Sequence, residues 1–322
     1  MLAIALSESF IVVTTSTNYV RVYTLFGTPF RVYRQKSSPT VTCAAWRDYV
    51  LTMGNGPIGG DGAPKLLYTI ENIRRDEVCQ SEDIVALADG TDLKSVFFSD
   101  NGDPCIYDST GVLLVLQHWR TPGQARWVPL LDTKLLDRLA SGRKEESYWP
   151  VAVAQDKFHC IILKGGDQHP YFPRPLLSDF DFQIPVSSIE KSKKKDADDE
   201  DDVATSEGPR LEESYVRSSL MLSLLEDLVS ATSSTHGQRA DLARKEVDVD
   251  KALLQLLNVE CREGEERGMK ALKIVGLLRD RSGKMLEAAG KIAARYGRTV
   301  LEDKIRELGE KRMMGMEEEE EL

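Results

Sequence analysis

Ser16-Thr-Asn-Tyr-Val-Arg-Val-Tyr-Thr-Leu-Phe-Gly27 and Ser99-Asp-Asn-Gly-Asp-Pro-Cys-Ile-Tyr-Asp-Ser-Thr-Gly111 share one plan. Each is a polar turn, a short strand-like run ending in Tyr, and a tight turn at Gly. A further apolar run follows in each case, at 30–33 and at 112–116. The two glycines are 84 residues apart, close to twice the ~40–45 residues of a propeller blade. Strand patterns at 40–44, 49–53 and 65–70 fill the interval, and others follow at 125–130, 151–154 and 159–164. Short strands, regular turns and no long amphipathic helix predict a β-propeller, with a β-sandwich as the alternative. Room for about four blades precedes Pro185, whereas propellers close with about four to eight. The first strand starts abruptly at Met1, so the chain is expected to begin inside a larger propeller and to miss its first blades.

Beyond Gln183 the sequence changes character. All four Trp and all nine Phe residues precede it, and only two Tyr follow. Aromatic and β-branched side chains suit a pleated surface; the second half instead spaces Leu, Ala and Val at three and four residues, the helical period. Five helices are expected. The first covers about 211–232 and the second runs to about 261. The third covers about 265–279 and the fourth about 283–296, stopped by Gly297. The fifth opens with Thr299-Val-Leu-Glu302, a capping-box spacing. Short connections imply antiparallel neighbours and a compact bundle over 210–314. The β module is expected to occupy 1–186. Between them, 187–209 reads as a charged, disordered linker with too little apolar surface to bury, and 315–322 as an acidic tail. The linker's Lys191-Ser-Lys-Lys-Lys195 fits either a nuclear-import signal or a solvated charged loop.

The formal net charge of −10 argues against bulk attraction to nucleic acid or anionic membrane. Much of the acidity lies in the linker and in 317–321; residues 210–316 hold 20 Lys plus Arg against 18 Asp plus Glu. The five Cys residues (43, 79, 105, 160 and 261) are widely spaced without a CxxC pair, the pattern of reduced thiols. Met1-Leu-Ala-Ile-Ala-Leu6 has neither a basic flank nor a small-residue cleavage site, so it reads as a strand. No apolar run reaches the ~20 residues a membrane span needs.

Chemistry is hinted at and mostly rejected. Gly54-Asn-Gly-Pro-Ile-Gly59 matches GxGxxG, but another strand pattern follows where a phosphate-binding helix is required, so a glycine-rich inter-strand loop is expected. His159 and Cys160 are adjacent on a strand and point to opposite faces, which excludes a nucleophile–base pair. No catalytic, cofactor-binding or metal-ligating set emerges, so the protein is read as a non-enzyme. The fourth helix carries Glu287-Ala-Ala-Gly-Lys-Ile-Ala-Ala-Arg295. Its small residues suit tight packing within the bundle, or a groove for a partner's acidic-hydrophobic amphipathic helix.

Longer runs carry a resemblance. Trp46-Arg-Asp-Tyr-Val-Leu-Thr52, Gly59-Gly-Asp-Gly62, Lys65-Leu-Leu-Tyr-Thr-Ile-Glu-Asn72, Phe98-Ser-Asp-Asn-Gly-Asp-Pro-Cys105 and Arg126-Trp-Val-Pro-Leu-Leu-Asp-Thr133 resemble the middle domain of the SepB family of replisome adaptors. Tyr148-Trp-Pro-Val151, Pro173-Arg-Pro175 and Lys251-Ala-Leu-Leu-Gln-Leu-Leu257 extend the likeness over nearly the whole chain. The family includes a fungal chromosome-transmission-fidelity adaptor and an animal WD-repeat and HMG-box DNA-binding protein. The resemblance implies a nuclear, cofactor-free scaffold with a WD40-like, SepB-type propeller that forms a homotrimer. It also implies a bundle that binds short helices from the GINS part of the replicative helicase and from DNA polymerase alpha, in support of replication and sister-chromatid cohesion. Trimerisation would raise the local concentration of each partner. The family's peptide site, on the second and fourth helices, corresponds here to Leu253, Leu256, Leu257, Met285, Ala289 and Ala293. The family's first propeller and the HMG box of its animal members have no counterpart in this sequence, so contact with DNA is expected to be indirect only. The alternative function is a propeller-plus-helix scaffold in another nuclear or coat-type assembly.

Overall fold

The computed structural model describes residues 1–60, 62, 64–136, 146–171, 175–186, 200–231 (200–206 by backbone alone) and 236–314. The chain divides into two compact units, Met1–Ile184 and Pro185–Leu322.

In the first unit the described residues form four small antiparallel sheets, each a meander of consecutive strands; some strands alternate buried and partly exposed side chains, as in β2, and others such as β10 are buried on both faces. The first holds β1 (Ala3–Leu6), β2 (Phe10–Thr14), β3 (Tyr19–Thr24) and β4 (Pro29–Arg34). The second holds β5 (Thr40–Trp46), β6 (Tyr49–Ile58), β7 (Pro64–Asn72) and β8 (Glu77–Ile84). The third holds β9 (Leu93–Phe98), β10 (Pro104–Asp108), β11 (Val112–Gln117) and β12 (Arg126–Asp132). The fourth has three strands, β13 (Ser147–Ala154), β14 (Lys157–Leu163) and β15 (Leu176–Asp181). The first strand of each sheet packs beside the first strand of the next, β1 on β5, β5 on β9 and β9 on β13. Consecutive sheets bury their facing side chains. Phe10, Val12, Val20 and Val22 meet Cys43, Val50 and Ile73; Leu51, Met53 and Ile70 meet Ile106, Leu116 and Trp119. Tyr107 of the third sheet stacks on Phe158 of the fourth at 5.7 Å. Meanders packed face to face around their first strands are a propeller-like arrangement.

Trp119 is the joint between the second and third sheets. It is fully buried and meets Tyr49 edge-on at 4.9 Å. Its indole N–H donates to Asp103 at 3.2 Å. Arg120 lies 4.3 Å over the same ring and donates to Asp103 at 2.9 Å, with the side chains 5% and 4% exposed. Gln80 Nε2 reaches from β8 to the carbonyls of Trp119 and Thr121, both at 2.8 Å.

Two sequence expectations for this unit change. The turn at Gly27 joins β3 to β4, whereas that at Gly111 joins β10 to β11. The two runs are therefore different hairpins within their sheets; any tight turn that needs positive φ produces the same local pattern. Gly54 and Gly56 are not in a loop but inside β6. A Cβ on Gly54 would stand 2.6 Å from Ser37 Oγ, and one on Gly56 would stand 2.6 Å from Leu67. These glycines serve close packing; β7 follows them and no helix does.

The second unit holds α1 (Glu200–Ala231), α2 (His236–Glu263), α3 (Gly268–Gly276), α4 (Lys284–Arg295) and α5 (Thr299–Met313), with a short 3-10 turn at Glu265–Arg267. α1 begins ten residues earlier than the expected linker boundary at 210. Glu207, the first residue of α1 with a described side chain, pairs with Arg262 at 2.7 Å. Residues 187–199, with the basic run, and the acidic tail 315–322 lie outside the described residues.

Removing Asp103 leaves a buried guanidinium without its counter-charge, so Asp103→Ala is expected to destabilise the first unit by about 3–5 kcal/mol. Urea denaturation followed by Trp fluorescence measures it; a loss below about 1 kcal/mol, the level of an exposed pair, would contradict this role.

Candidate functional site

The bundle core gathers one cluster from all five helices, including Leu222, Leu253, Leu257, Val275, Ala289, Ala293 and Ile305. α4 packs on α2 and α5, and its Ala289 and Ala293, both 0% exposed, keep its inward face thin. Both ends of α4 are fixed. At its start Asp280 accepts from the Met285 and Ser282 N–H groups at 2.8 and 2.9 Å and from the Ser282 hydroxyl at 2.7 Å. The Met285 N–H, first among these, holds the Asp280 carboxyl below its ordinary range. At its end Gly297 adopts φ 67°. Gly297 N–H donates to Ala294 O and Arg298 N–H to Ala293 O, both at 3.0 Å, the paired bonds of a Schellman stop.

The stop overrides the capping box expected at Thr299. Arg298 closes α4 and is at once the N-cap of α5, with no side-chain capping bond. Its guanidinium turns away to donate to Cys261 O at 2.9 and 3.1 Å, closing the end of α2. Arg312 does the same for α3, donating to Gly276 O at 2.7 Å and Leu278 O at 2.9 Å. Buried Glu260 accepts from Lys270 at 2.6 Å and Arg267 at 3.3 Å, and Lys270 also reaches Glu212 at 2.9 Å, linking α1, α2 and α3. The hydrogen bond to Glu260 is the main cause of a raised Lys270 pKa.

The structure brings all six sequence-predicted residues together but places five of them inside. Leu253, Leu256, Leu257, Ala289 and Ala293 are at most 4% exposed, and only Met285 is partly open. They are the interior of the α2–α4 packing, because a helix turns its most apolar stripe inward first. The reachable surface is the next ring of residues, of which the sequence reading named Met285 alone. Leu254, Met285, Ile292 and Tyr296 are partly buried against the same core, and Ala288 is half-buried between them. Tyr296 Oη donates to Asn258 Oδ1 at 3.1 Å and ties the end of α4 to α2. The signal was available: 285, 288 and 292 repeat at three and four residues, one position from the inward alanines.

This seam is an apolar strip with a basic edge. On the wheel of α4, Lys284 and Arg295 lie together on one side of Ala288, and neither makes an ion pair among the described residues; Arg295 lies 5.9 Å over the Tyr296 ring. Among the described residues no group of His, Cys, Asp and Glu could hold a metal. Burial pushes the Cys43 thiol up to about 11, and raises Cys261 too, which suits packing better than reactivity. His159 and Cys160 are separate as expected, with Cys160 fully buried and the His159 ring Nε2 3.2 Å from Ala154 O. No helix among the described residues is long and apolar enough to cross a membrane.

A propeller-like array of small sheets and a five-helix bundle with an apolar seam define the class of fold among the described residues. Residues 1–186 match the family model for the Minichromosome loss protein, Mcl1, middle region. Residues 209–315 match that for the DNA polymerase alpha-binding protein Ctf4, C-terminal domain. The chain belongs to this Mcl1/Ctf4 family, the SepB family of the sequence resemblance. It is 45% identical to Minichromosome loss protein 1 of Schizosaccharomyces pombe over 94% of its length, covering 35% of that protein. It is 29% identical to the DNA polymerase alpha-binding protein of Saccharomyces cerevisiae over 94% of its length, covering 36% of it. With the human WD repeat and HMG-box DNA-binding protein 1 the identity is 25% over 95% of this chain and 25% of that protein. The chain thus spans about a third or less of these relatives.

Ala289→Glu places a carboxylate in the core and is expected to cost several kcal/mol, enough to unfold the bundle. Ala288→Glu, one residue outward, is expected to stay within about 1 kcal/mol of the parent chain. Helical circular dichroism during thermal unfolding checks both. Equal tolerance of the two would contradict the inward orientation of Ala289.

Proposed function

We propose that this chain is part of a non-enzymatic replisome adaptor that tethers the replicative helicase, through GINS, to DNA polymerase alpha. Its bundle does so by holding short acidic-hydrophobic amphipathic helices on the α2–α4 seam, built over Leu253, Leu256, Leu257, Met285, Ala289 and Ala293. The observation that carries this reading is the seam itself: half-open Leu254, Met285, Ala288 and Ile292 beside the unpaired cations Lys284 and Arg295. Apolar anchors at helical spacing fill such a strip, and flanking acids meet the basic edge. The names of two relatives support it, one a DNA polymerase alpha-binding protein, the other named for minichromosome loss.

The adaptor works in the nucleus, in DNA replication and sister-chromatid cohesion, and reaches DNA only through its partners. The four sheets belong to a six-bladed propeller through which three copies associate, so that one hub holds several partners at millimolar effective concentration. The outward faces of the end sheets support further blades: Ile4, Leu6 and Val32 on one are 58%, 68% and 55% exposed, and Leu177 on the other is 65% exposed. Side chains of this kind are normally covered.

Titration of a fluorescein-labelled acidic amphipathic peptide of the polymerase alpha or GINS type into the whole chain, read by anisotropy, tests the docking. Saturable binding is expected, weakened at least about tenfold by Ala288→Glu, which sets a like charge and a longer side chain in the seam (about 1.4 kcal/mol). Undiminished affinity in a folded Ala288→Glu chain would place the site elsewhere.

A further inference from the structure

The small residues of α4 do not all face inward. Gly290 and Ala294 lie on the side toward α5, where they line a groove of about 1240 Å³ whose opposite wall carries Gly309 and Met313 and whose floor is Leu286 and Ile305. Gly290 and Gly309 lie within their helices, where glycine is disfavoured relative to alanine. Packing within the bundle does not require them. A Cβ on Gly290 would meet nothing within 4 Å, and one on Gly309 would make only an ordinary 4.0 Å contact with Leu286. Two helix-interior glycines that the fold does not need, facing a common groove, leave room for the backbone of something else. Met313 at the lip is 87% exposed.

The charges around the groove identify the chemistry of the occupant. Arg279 is taken by Glu226 and Arg306 by Asp303, both at 2.6 Å, and Arg312 is spent on the α3 carbonyls. Glu246, Glu287, Glu302 and Glu310 remain without an ion pair among the described residues, against Arg281 and Lys291. The surplus is acidic, opposite in sign to the edge of the α2–α4 seam. α4 has 12 residues, which at about 1.5 Å each gives a groove about 18 Å long, or roughly three helical turns.

We propose that the α4–α5 groove is a second docking site, for a basic amphipathic helix of a partner protein whose apolar face sits over Gly290 and Gly309. Its Lys or Arg side chains meet Glu287, Glu302 and Glu310 along the rims. The bundle then binds helices of opposite charge on the two flanks of α4. The acidic-peptide seam of the preceding subsection is a separate surface, and neither site depends on the other.

The test uses the whole chain and a fluorescein-labelled helix with Leu and Ala on one face and Lys and Arg on the other. A scrambled peptide of the same composition controls for charge alone. Gly290→Leu fills the groove, meets open space in the free protein and replaces a helix-disfavoured residue, so its thermal unfolding is expected not to fall. Anisotropy is expected to show saturable binding of the amphipathic peptide. The scrambled peptide and the Gly290→Leu chain should each bind at least tenfold more weakly, while the acidic peptide binds the Gly290→Leu chain as before. Equal binding of the scrambled peptide, no loss in Gly290→Leu, or no binding at all overturns the proposal, as does parallel loss of the acidic peptide. Failure of the acidic peptide on the parent chain alone bears only on the α2–α4 seam.

Discussion

The bundle depends on the close approach of α2 and α4 through two alanines with no exposed surface, Ala289 and Ala293. A larger side chain at either would overpack a filled core, at a cost of about 1–3 kcal/mol. Once these two positions fix the distance between the helices, the remaining faces of α4 follow from its periodicity. Met285, Ala288 and Ile292 fall on the flank toward α2, and Gly290 and Ala294 on the flank toward α5. A short helix of 12 residues therefore serves the core and presents two unlike surfaces.

Such surfaces recognise partners only if the helix is held still, because ordering it on binding subtracts from affinity. Here both ends are tied. Asp280 caps the start through backbone N–H groups. The Gly297 stop passes directly into α5, and Arg298 binds the end of α2. Only Tyr296, Gly297 and Arg298 separate α4 from α5, and the N–H groups of Gly297 and Arg298 are bonded back to the end of α4.

Much of this was legible in the sequence, at the level where local chemistry decides. Short runs rich in apolar and β-branched residues at 49–53, 65–70 and 112–116 mark real strands, and Leu and Ala spacing marks the five helices. Gly297 ends α4 as read. What was not legible needs neighbours distant in sequence. Gly54 and Gly56 look like a loop until Ser37 and Leu67 are seen against them. Thr299 looks like a cap until the α4 stop makes Arg298 the cap residue. The Gly27 and Gly111 turns look equivalent until strand order separates them. Along the α2–α4 seam, periodicity marked the inward stripe of each helix, but the boundary between interior and surface is set by how deeply α4 is sunk, and that put Leu254, Ala288 and Ile292 out of reach. The start of α1 was hidden for another reason: a charged stretch with few apolar side chains shows no buried stripe, so its period cannot be read.

The architecture separates two tasks. The propeller-like unit is joined by desolvated contacts such as Trp119 with Asp103 and Arg120, suited to holding shape, while the bundle exposes the strips on which docking is proposed. The claim that most needs a direct answer is the location of that capture. Photo-crosslinking of the whole chain with an acidic amphipathic helix carrying benzophenone on its apolar face, read by peptide mass mapping, provides it. Adducts on Leu254, Met285, Ala288 or Ile292 are the predicted result. Adducts confined to the sheets of the first unit, or to α5, would contradict the account.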